Sequence, residues 1–230
     1  ARCLTTLMKL KHIIWDWNGT LLDDRWLCVE SINKSLLKRN LPLIDEEKYL
    51  DIFCFPVENY YKKLGFDFEK EPFTISGSEF IANYNARFHE PELQPGVVQL
   101  LEFLKSVGLT QSILSAGKQE FVSDWIIHHR LEKYFLNVLG IDNHYASGKI
   151  EIGKNLVSEM EYDTDELLLV GDTIHDREVA NAMGVMCVLI AQGHTSYSRL
   201  QATGATVFND LFDLKRYLQD LLPVNRSVST

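Results

Sequence analysis

Asp16-Trp17-Asn18-Gly19-Thr20 closes a short apolar run, Ser115-Ala116-Gly117 closes a second, and Gly171-Asp172, followed by Asp176, closes a third. Lys149 stands in a loop before a helical segment that begins at Glu151. Carboxylates, a hydroxyl beside a glycine turn and a lysine are groups that bind and act on a polar ligand. One acid at the end of an apolar run is commonplace as a helix cap or turn former. Two acids, a Ser-Ala-Gly turn and a lysine, each at a corresponding place, are not accounted for that way. Thiol chemistry is not indicated. Cys3, Cys28, Cys54 and Cys187 form no CxxC pair, and Cys28 and Cys54 have no neighbouring activator. All four read as reduced, mostly buried thiols.

The elements that must hold these residues follow from the apolar pattern. His12 to Asp16, Thr110 to Ser115, Glu166 to Asp172 and Val185 to Ala191 are apolar on both faces and bounded by turn signals, as a central parallel sheet requires. Val138-Leu139-Gly140 and Thr206-Val207-Phe208 are shorter candidates. Helical spacing of Val97, Leu100, Leu101, Leu104 and Val107 predicts a helix between Pro95 and Gly108. Phe121 to His129, Glu151 to Met160 and Asp176 to Met183 each predict another, the last stopped by Gly184. Strand–helix alternation implies an α/β fold with a doubly wound parallel sheet. Ligands bind such sheets at the carboxyl ends of the strands, which is where the acids, the serine and the lysine fall.

Residues 24–91 break that rhythm. Leu27 to Lys38, Asp45 to Phe53, Val57 to Leu64 and Ser78 to His89 predict four helices with no convincing strand among them. An all-helical insert accounts for this, leaving a discontinuous core of residues 1–22 and 92–230 and a cap of residues 23–91.

Composition narrows the partners. The chain has 230 residues, 46% of them hydrophobic and 11% aromatic, enough for a sizeable core and too apolar for intrinsic disorder. A net charge of −9 argues against general affinity for nucleic acid or an anionic membrane. No apolar run approaches the length of a membrane helix. Ala1-Arg2-Cys3-Leu4 shows none of the long apolar stretch of a secretory signal, so the expected location is cytoplasmic, as a monomer or homodimer.

The set of motifs resembles the haloacid dehalogenase superfamily, in particular its helical-capped phosphatases. Asp16 through Asp23 matches the first motif with one departure, Ser115 the second, Lys149 the third, and Gly171-Asp172 with Asp176 the fourth. The insert sits where that family carries its cap. The resemblance implies that Asp16 is the nucleophile and forms an aspartyl-phosphate. It implies Mg²⁺ held by the Asp16 carboxylate, the Asn18 backbone carbonyl and Asp172, with Asp176 orienting a metal-bound water or Lys149. Ser115 and the N–H groups of Ala116 and Gly117 would hold the transferring phosphoryl oxygens, with Lys149 offsetting their charge. Lys154 competes for that role by type, but lies inside the helix and reads as solvated surface.

The departure is at position 18. Phosphatases of this family carry a second aspartate there, which protonates the leaving alkoxide and then deprotonates water. Asn18 cannot exchange a proton near neutral pH, and general acid–base catalysis contributes about 10²–10⁴-fold. Three readings remain open. One is a phosphatase acting on a small phosphorylated metabolite, whose proton transfer falls to solvent, to a cap residue or to a leaving group that needs little protonation. Another is carbon–phosphorus cleavage resembling that of phosphonoacetaldehyde hydrolases, which lack the second aspartate and use a cap lysine. Lys34, Lys38, Lys62 and Lys63 are this chain's cap lysines. The last is a catalytically quiet protein that binds phosphorylated ligands or a partner.

Substrate choice is expected from the cap. Phe53-Cys54-Phe55-Pro56 falls where capped relatives place their specificity loop. Phe53, Phe55 and Trp26 are candidate substrate contacts, with cap–core packing as the alternative. Tyr60 and Tyr61 read as packing residues of a cap helix. His175 reads as a surface residue in a first helical turn. His194, in Gly193-His194-Thr195-Ser196, lies on the ligand-binding side of the sheet, where Thr195 or Ser196 also suits a helix cap.

Overall fold

A computed structural model describes residues 9–141 and 148–222, which leaves Cys3 outside the described residues. The described strands are β1 (His12–Trp15), β2 (Thr110–Lys118), β3 (Asn137–Ile141), β4 (Leu167–Gly171), β5 (Met186–Ile190) and β6 (Thr206–Phe208). They form one parallel sheet in the order β3-β2-β1-β4-β5-β6. Connections run outward to one side from β1 through β3 and to the other side from β4. The strand order therefore reverses between β1 and β4, and a crevice opens beyond their carboxyl ends.

Helices cover both faces. Four lie between β1 and β2 within the helical insert: α1 (Arg25–Lys38), α2 (Glu46–Ile52), α3 (Val57–Lys63) and α4 (Phe73–Asn85). The others are α5 (Val97–Ser106), α6 (Gln119–His128), α7 (Lys149–Glu159), α8 (Ile174–Met183), α9 (Tyr197–Gln201) and α10 (Leu211–Leu221). Side chains alternate across a strand, so each buried strand feeds two cores. Ile13 and Trp15 of β1, with Leu168 and Val170 of β4, pack with α5, α6, α10 and the insert helices. Ile14, Leu167 and Leu169 pack on the opposite face with α7, α8 and α9. Trp15 is fully buried, and its indole N–H donates to Gln111 Oε1 at 3.0 Å, which satisfies both polar groups inside the sheet layer.

Three sequence expectations shift. Lys149 is not in a loop; it is the first residue of α7. The Ser-Ala-Gly segment is not a turn after β2 but lies inside it, because β2 continues to Lys118 across a register break between Leu114 and Lys118. The helix expected at Ser78 begins at Phe73, just after Pro72, because Phe73 is itself buried in the insert core. The free thiols of Cys28 and Cys187 are buried, as their type suggests. No described helix is long and apolar enough to cross a membrane.

The insert is fastened over the carboxyl ends of the strands by two arginines. Arg25, opening α1, donates from Nη1 to the carbonyls of Gln192 and Gly193 at 3.1 and 2.7 Å. Arg199, from α9, donates to the carbonyls of Leu50 and Phe53 at 2.6 and 2.8 Å, which would otherwise be unpaired at the end of α2.

Candidate active site

β1 and β4 pair with Trp15 opposite Val170, so the residues that follow each strand, Asp16 and the Gly171-Asp172 pair, emerge side by side. The Asp16 N–H donates to the Val170 carbonyl at 2.9 Å and prolongs the pairing by one residue. Lys149, at the start of α7, reaches in from beyond β3. Its Nζ donates to Asp16 Oδ1 at 2.6 Å and to Asp176 Oδ1 at 2.7 Å, with all three residues buried. Burial opposes the lysine's charge, but the two carboxylates outweigh it and raise its pKa above the ordinary value.

Asp176 owes its position to helix capping. Thr173 is the N-cap of α8, and Asp176 is the reciprocal member of a capping box. Asp176 Oδ2 accepts from the N–H groups of Asp172 and Thr173 at 3.2 and 3.0 Å and from the Thr173 hydroxyl at 2.6 Å. Both of its oxygens are thus engaged. Its Oδ1 is bonded to Lys149, one of the two partners the resemblance implied. Burial disfavours its ionised form, yet Lys149 and the Thr173 bond hold its pKa below the usual range.

Asp172 is fully buried and accepts from the His194 N–H at 2.5 Å and from the Thr20 hydroxyl at 2.9 Å. Thr20 also stands 3.1 Å from Asp16 Oδ2, but one hydroxyl proton serves one acceptor at a time. Burial, aided by the charges of Asp16 and Asp176 and opposed by His194, pushes the Asp172 carboxyl well above its ordinary pKa. Burial likewise raises Asp16 against the pull of Lys149. Asp16, Asp172 and Asp176 each bring a carboxylate oxygen within 4.8 Å of the others. Three acids facing one lysine leave negative charge uncompensated. That excess, carried on oxygen donors alone, fits a hard divalent cation such as Mg²⁺. The approach is close enough to demand glycine at two points. A Cβ on Gly193 would lie 2.1 Å from Asp172 Oδ2, and one on Gly19, where φ is +78°, would lie 2.4 Å from the same atom.

Ser115 is buried, and its Oγ accepts from the Gly117 N–H at 2.9 Å. The hydroxyl and one of the two N–H groups expected to hold phosphoryl oxygens are therefore bonded to each other. Ser115 keeps its own O–H to donate, while Ala116 and Gly117 line the cavity. Lys154 pairs with Glu151 at 3.3 Å on the exposed face of α7, as expected.

Asn18 lies between this cluster and a second one. Its Nδ2 donates to Asp24 Oδ2 at 2.8 Å and approaches the Tyr84 hydroxyl at 3.3 Å. Tyr84 donates to the same Asp24 oxygen at 2.6 Å, and the Gly19 N–H donates to Asp24 Oδ1 at 2.9 Å. His194 Nε2 stands 3.1 Å from Asp24 Oδ1, and its Nδ1 stands 2.9 Å from the Tyr49 hydroxyl. Burial works against both charges. The ion pair prevails, lowering the Asp24 pKa and lifting that of His194 to about 9. Sequence reasoning passed over Asp24, which the expected helix from Leu27 left in a loop. Asp24 occupies the N-cap position of α1, but its side chain makes no capping bond and turns into the site.

A cavity of about 220 Å³ opens above Asp16, Asn18, Lys149 and His194. Its roof is aromatic. Phe53 and Phe55, the candidate substrate contacts, line it, and so do Tyr60 and Tyr61, which the sequence suggested only pack a helix. His175 is not simply a surface residue, since its ring packs 5.0 Å from Phe55 at the cavity wall. Trp26 does not line the cavity. Its indole N–H donates to the Asp23 carbonyl, and the Arg87 guanidinium covers its ring. None of Lys34, Lys38, Lys62 and Lys63 lines the cavity either. Lys38 pairs with Glu79, and Lys63 donates to the Ile52 carbonyl.

Sheet order, buried lysine and converging aspartates define a doubly wound parallel α/β scaffold with its site at the strand-order reversal. The family model for haloacid dehalogenase-like hydrolases matches residues 13–190, and the chain belongs to that family. It is similar to a 5'-nucleotidase from Pseudomonas aeruginosa, with 24% identity over 92% of this chain and 97% of the relative. A phosphoglycolate phosphatase from Vibrio parahaemolyticus is 24% identical over 86% of this chain and 91% of its own length. The crystal structure of a predicted phosphatase from Clostridium acetobutylicum shares the fold, with a TM-score of 0.78 at 21% identity over 92% of this chain and 99% of that one.

Proposed function

We propose that the chain is a Mg²⁺-dependent phosphoric monoester hydrolase that works through an aspartyl-phosphate on Asp16 and takes a small phosphorylated metabolite. The observation that carries this reading is the buried bond of Lys149 to both Asp16 and Asp176, beside Asp172. Lys149 aims Asp16 and offsets the charge of an incoming phosphoryl group. Asp176 holds Lys149 and, through its capping bonds, sets the start of α8. Asp16, the Asn18 carbonyl and Asp172 would hold the cation, which supplies positive charge against the repulsion between carboxylate and phosphate. Asp16 attacks phosphorus and the ester oxygen leaves. Water then attacks the phosphorus of the aspartyl-phosphate, releasing inorganic phosphate and restoring Asp16. The insert, residues 23–91, acts as the cap that excludes water. Carbon–phosphorus cleavage through a lysine imine finds no support, because no insert lysine lines the cavity.

Phosphate release from a panel of monoesters, measured with Mg²⁺ and with EDTA, tests the proposal. We expect Mg²⁺-dependent release that Asp16→Asn lowers by roughly 10⁴-fold or more, as loss of an enzymic nucleophile does elsewhere. Release that survives in Asp16→Asn would rule out this mechanism. Absence of release from any ester, with retained Mg²⁺-dependent phosphate binding, would favour the quiet ligand-binding reading instead.

A further inference from the structure

The cavity roof carries chemical information beyond the phosphoryl site. Phe53, Phe73, Phe80, Tyr84, Phe121 and Trp125 line one continuous space with Asp16 and Lys149. The only carboxylate the insert contributes is Asp24, and it is committed to His194, Tyr84 and Asn18. Among the described residues, no arginine lines the space. Lys118 does, but it pairs with Glu120 at 2.5 Å. Among the described residues, a charged leaving group would therefore find no free counter-charge under the roof, whereas an apolar ring would be in contact with rings on several sides. Size agrees. A dry apolar cavity of about 150 Å³ accepts benzene, so about 220 Å³ suits one ring together with a phosphoryl group.

Asn18 points to the same class. Its amide cannot act as a general acid, which favours a leaving group that departs as a stable anion. A phenol ionises near pH 10, far more readily than an aliphatic alcohol, and leaves as phenolate unaided. One further group is unaccounted for. Tyr60 lines the cavity, and its hydroxyl is buried with no hydrogen-bond partner among the described residues. Burial raises its pKa, so it stays a neutral phenol able to donate or accept. An unpaired buried hydroxyl is costly, and a polar substituent on a bound ring would satisfy it.

We infer that the substrates are aryl phosphate monoesters whose ring carries no charge, with the ring held under the aromatic roof and a hydrogen-bonding substituent directed at Tyr60. The inference rests on the phosphatase reading above. Asp16 attacks phosphorus, the bond from phosphorus to the aryl oxygen breaks, and the phenolate takes its proton from solvent. Water then cleaves the aspartyl-phosphate at phosphorus. The sum is aryl phosphate plus water giving a phenol and inorganic phosphate.

Three substrates separate the inference from the reading beneath it: phenyl phosphate, cyclohexyl phosphate, which is similarly bulky and apolar but leaves as an alkoxide, and acetyl phosphate, which leaves easily but has no ring. We expect kcat/KM for phenyl phosphate to exceed that for cyclohexyl phosphate by about 100-fold or more, the low end of what a missing general acid forfeits. Phe80→Ala should lower the phenyl-to-acetyl ratio about tenfold, the scale of a lost apolar contact. 4-Hydroxyphenyl phosphate should be favoured over phenyl phosphate, and Tyr60→Phe should remove that preference while ring binding persists. Asn18→Asp should narrow the phenyl-to-cyclohexyl gap by raising the cyclohexyl rate. Comparable rates for phenyl and cyclohexyl phosphate, with Mg²⁺-dependent turnover of acetyl phosphate, would overturn the aryl class and leave the phosphatase reading standing. No release from any of the three would overturn both.

Discussion

The floor and the roof of the cavity are built on opposite principles. The floor is charged, buried and held by backbone. Asp16 and Asp172 follow adjacent paired strands, and Asp176 is tied into a helix cap. The roof is apolar and held by side-chain packing, with Phe53 against Tyr49 at 4.9 Å and against Tyr60 at 5.3 Å. The Asp24–His194 ion pair lies between them and joins the insert to the loop after β5. Chemistry needs atoms fixed to a fraction of an ångström, which strand ends and capped helices provide. Selection among leaving groups needs shape and apolar surface, which a few rings on short helices provide at little cost to the sheet.

Removing the floor's cation should have the largest effect on folding. Lys149→Met leaves two buried carboxylates without their partner, and breaking such a pair destabilises by about 3–5 kcal/mol. Urea denaturation should show this, and Asp16→Asn added to Lys149→Met should recover part of it. Equal midpoints for wild type and Lys149→Met would mean that the floor is not held by charge.

A smaller loss is expected at the junction. His194 is lifted to about 9 from an unfolded value near 6.5, so its contribution is complete below about pH 6.5 and is lost as pH rises through about 9. Asp24 is lowered, so its contribution is present above its unfolded value and is lost only as pH falls through the depressed one. Asp24→Asn should therefore cost roughly 2 kcal/mol near pH 6.5, and the gap to wild type should shrink by pH 10. The groups facing His194 are Asp24, Asp172, Asp16 and the Tyr49 hydroxyl, so the window belongs to this cluster. A gap of the same size at both pH values would show that the pair is not what joins the two halves.

The roof's fastening should matter least to stability and most to binding. Arg199→Ala removes two bonds to carbonyls at the end of α2, for about 1 kcal/mol in a partly exposed setting. Steady-state kinetics should show KM rising more than kcat falls. A fall in kcat alone would place Arg199 with the floor instead.

The two halves also differ in how legible they were. The floor was readable because strand ends are marked by local pattern. Asp16, Asp172 and Asp176 each close or follow an apolar run, and both the sheet and the acids appeared where that pattern put them. Lys149 was found by type, though as a loop residue, because Gly148, the N-cap of α7, has no side chain to make a capping bond. The roof was hardly readable. Phe53 and Phe55 were named, but so was Trp26, which packs elsewhere. Tyr60 and Tyr61 looked like helix packing, and Tyr84 was not singled out. Aromatic residues on short helices carry no period that distinguishes a core-facing ring from a cavity-facing one. Asp24 was hidden because the helix expected from Leu27 left it in a loop.

The sequence by itself determined the α/β class, the insert between the first strand and the rest, the acids at the strand ends and the absence of a carboxylate at position 18. These follow from nearest-neighbour physics: alternation, capping, and the proton inventory of one side chain. Only the tertiary structure decided that Asp24 bonds to Asn18, that His194 and Tyr49 complete that cluster, and that rings of the insert line the cavity. Those contacts join residues up to 170 positions apart, and no local rule specifies which side chains meet when a helical insert folds back over a sheet.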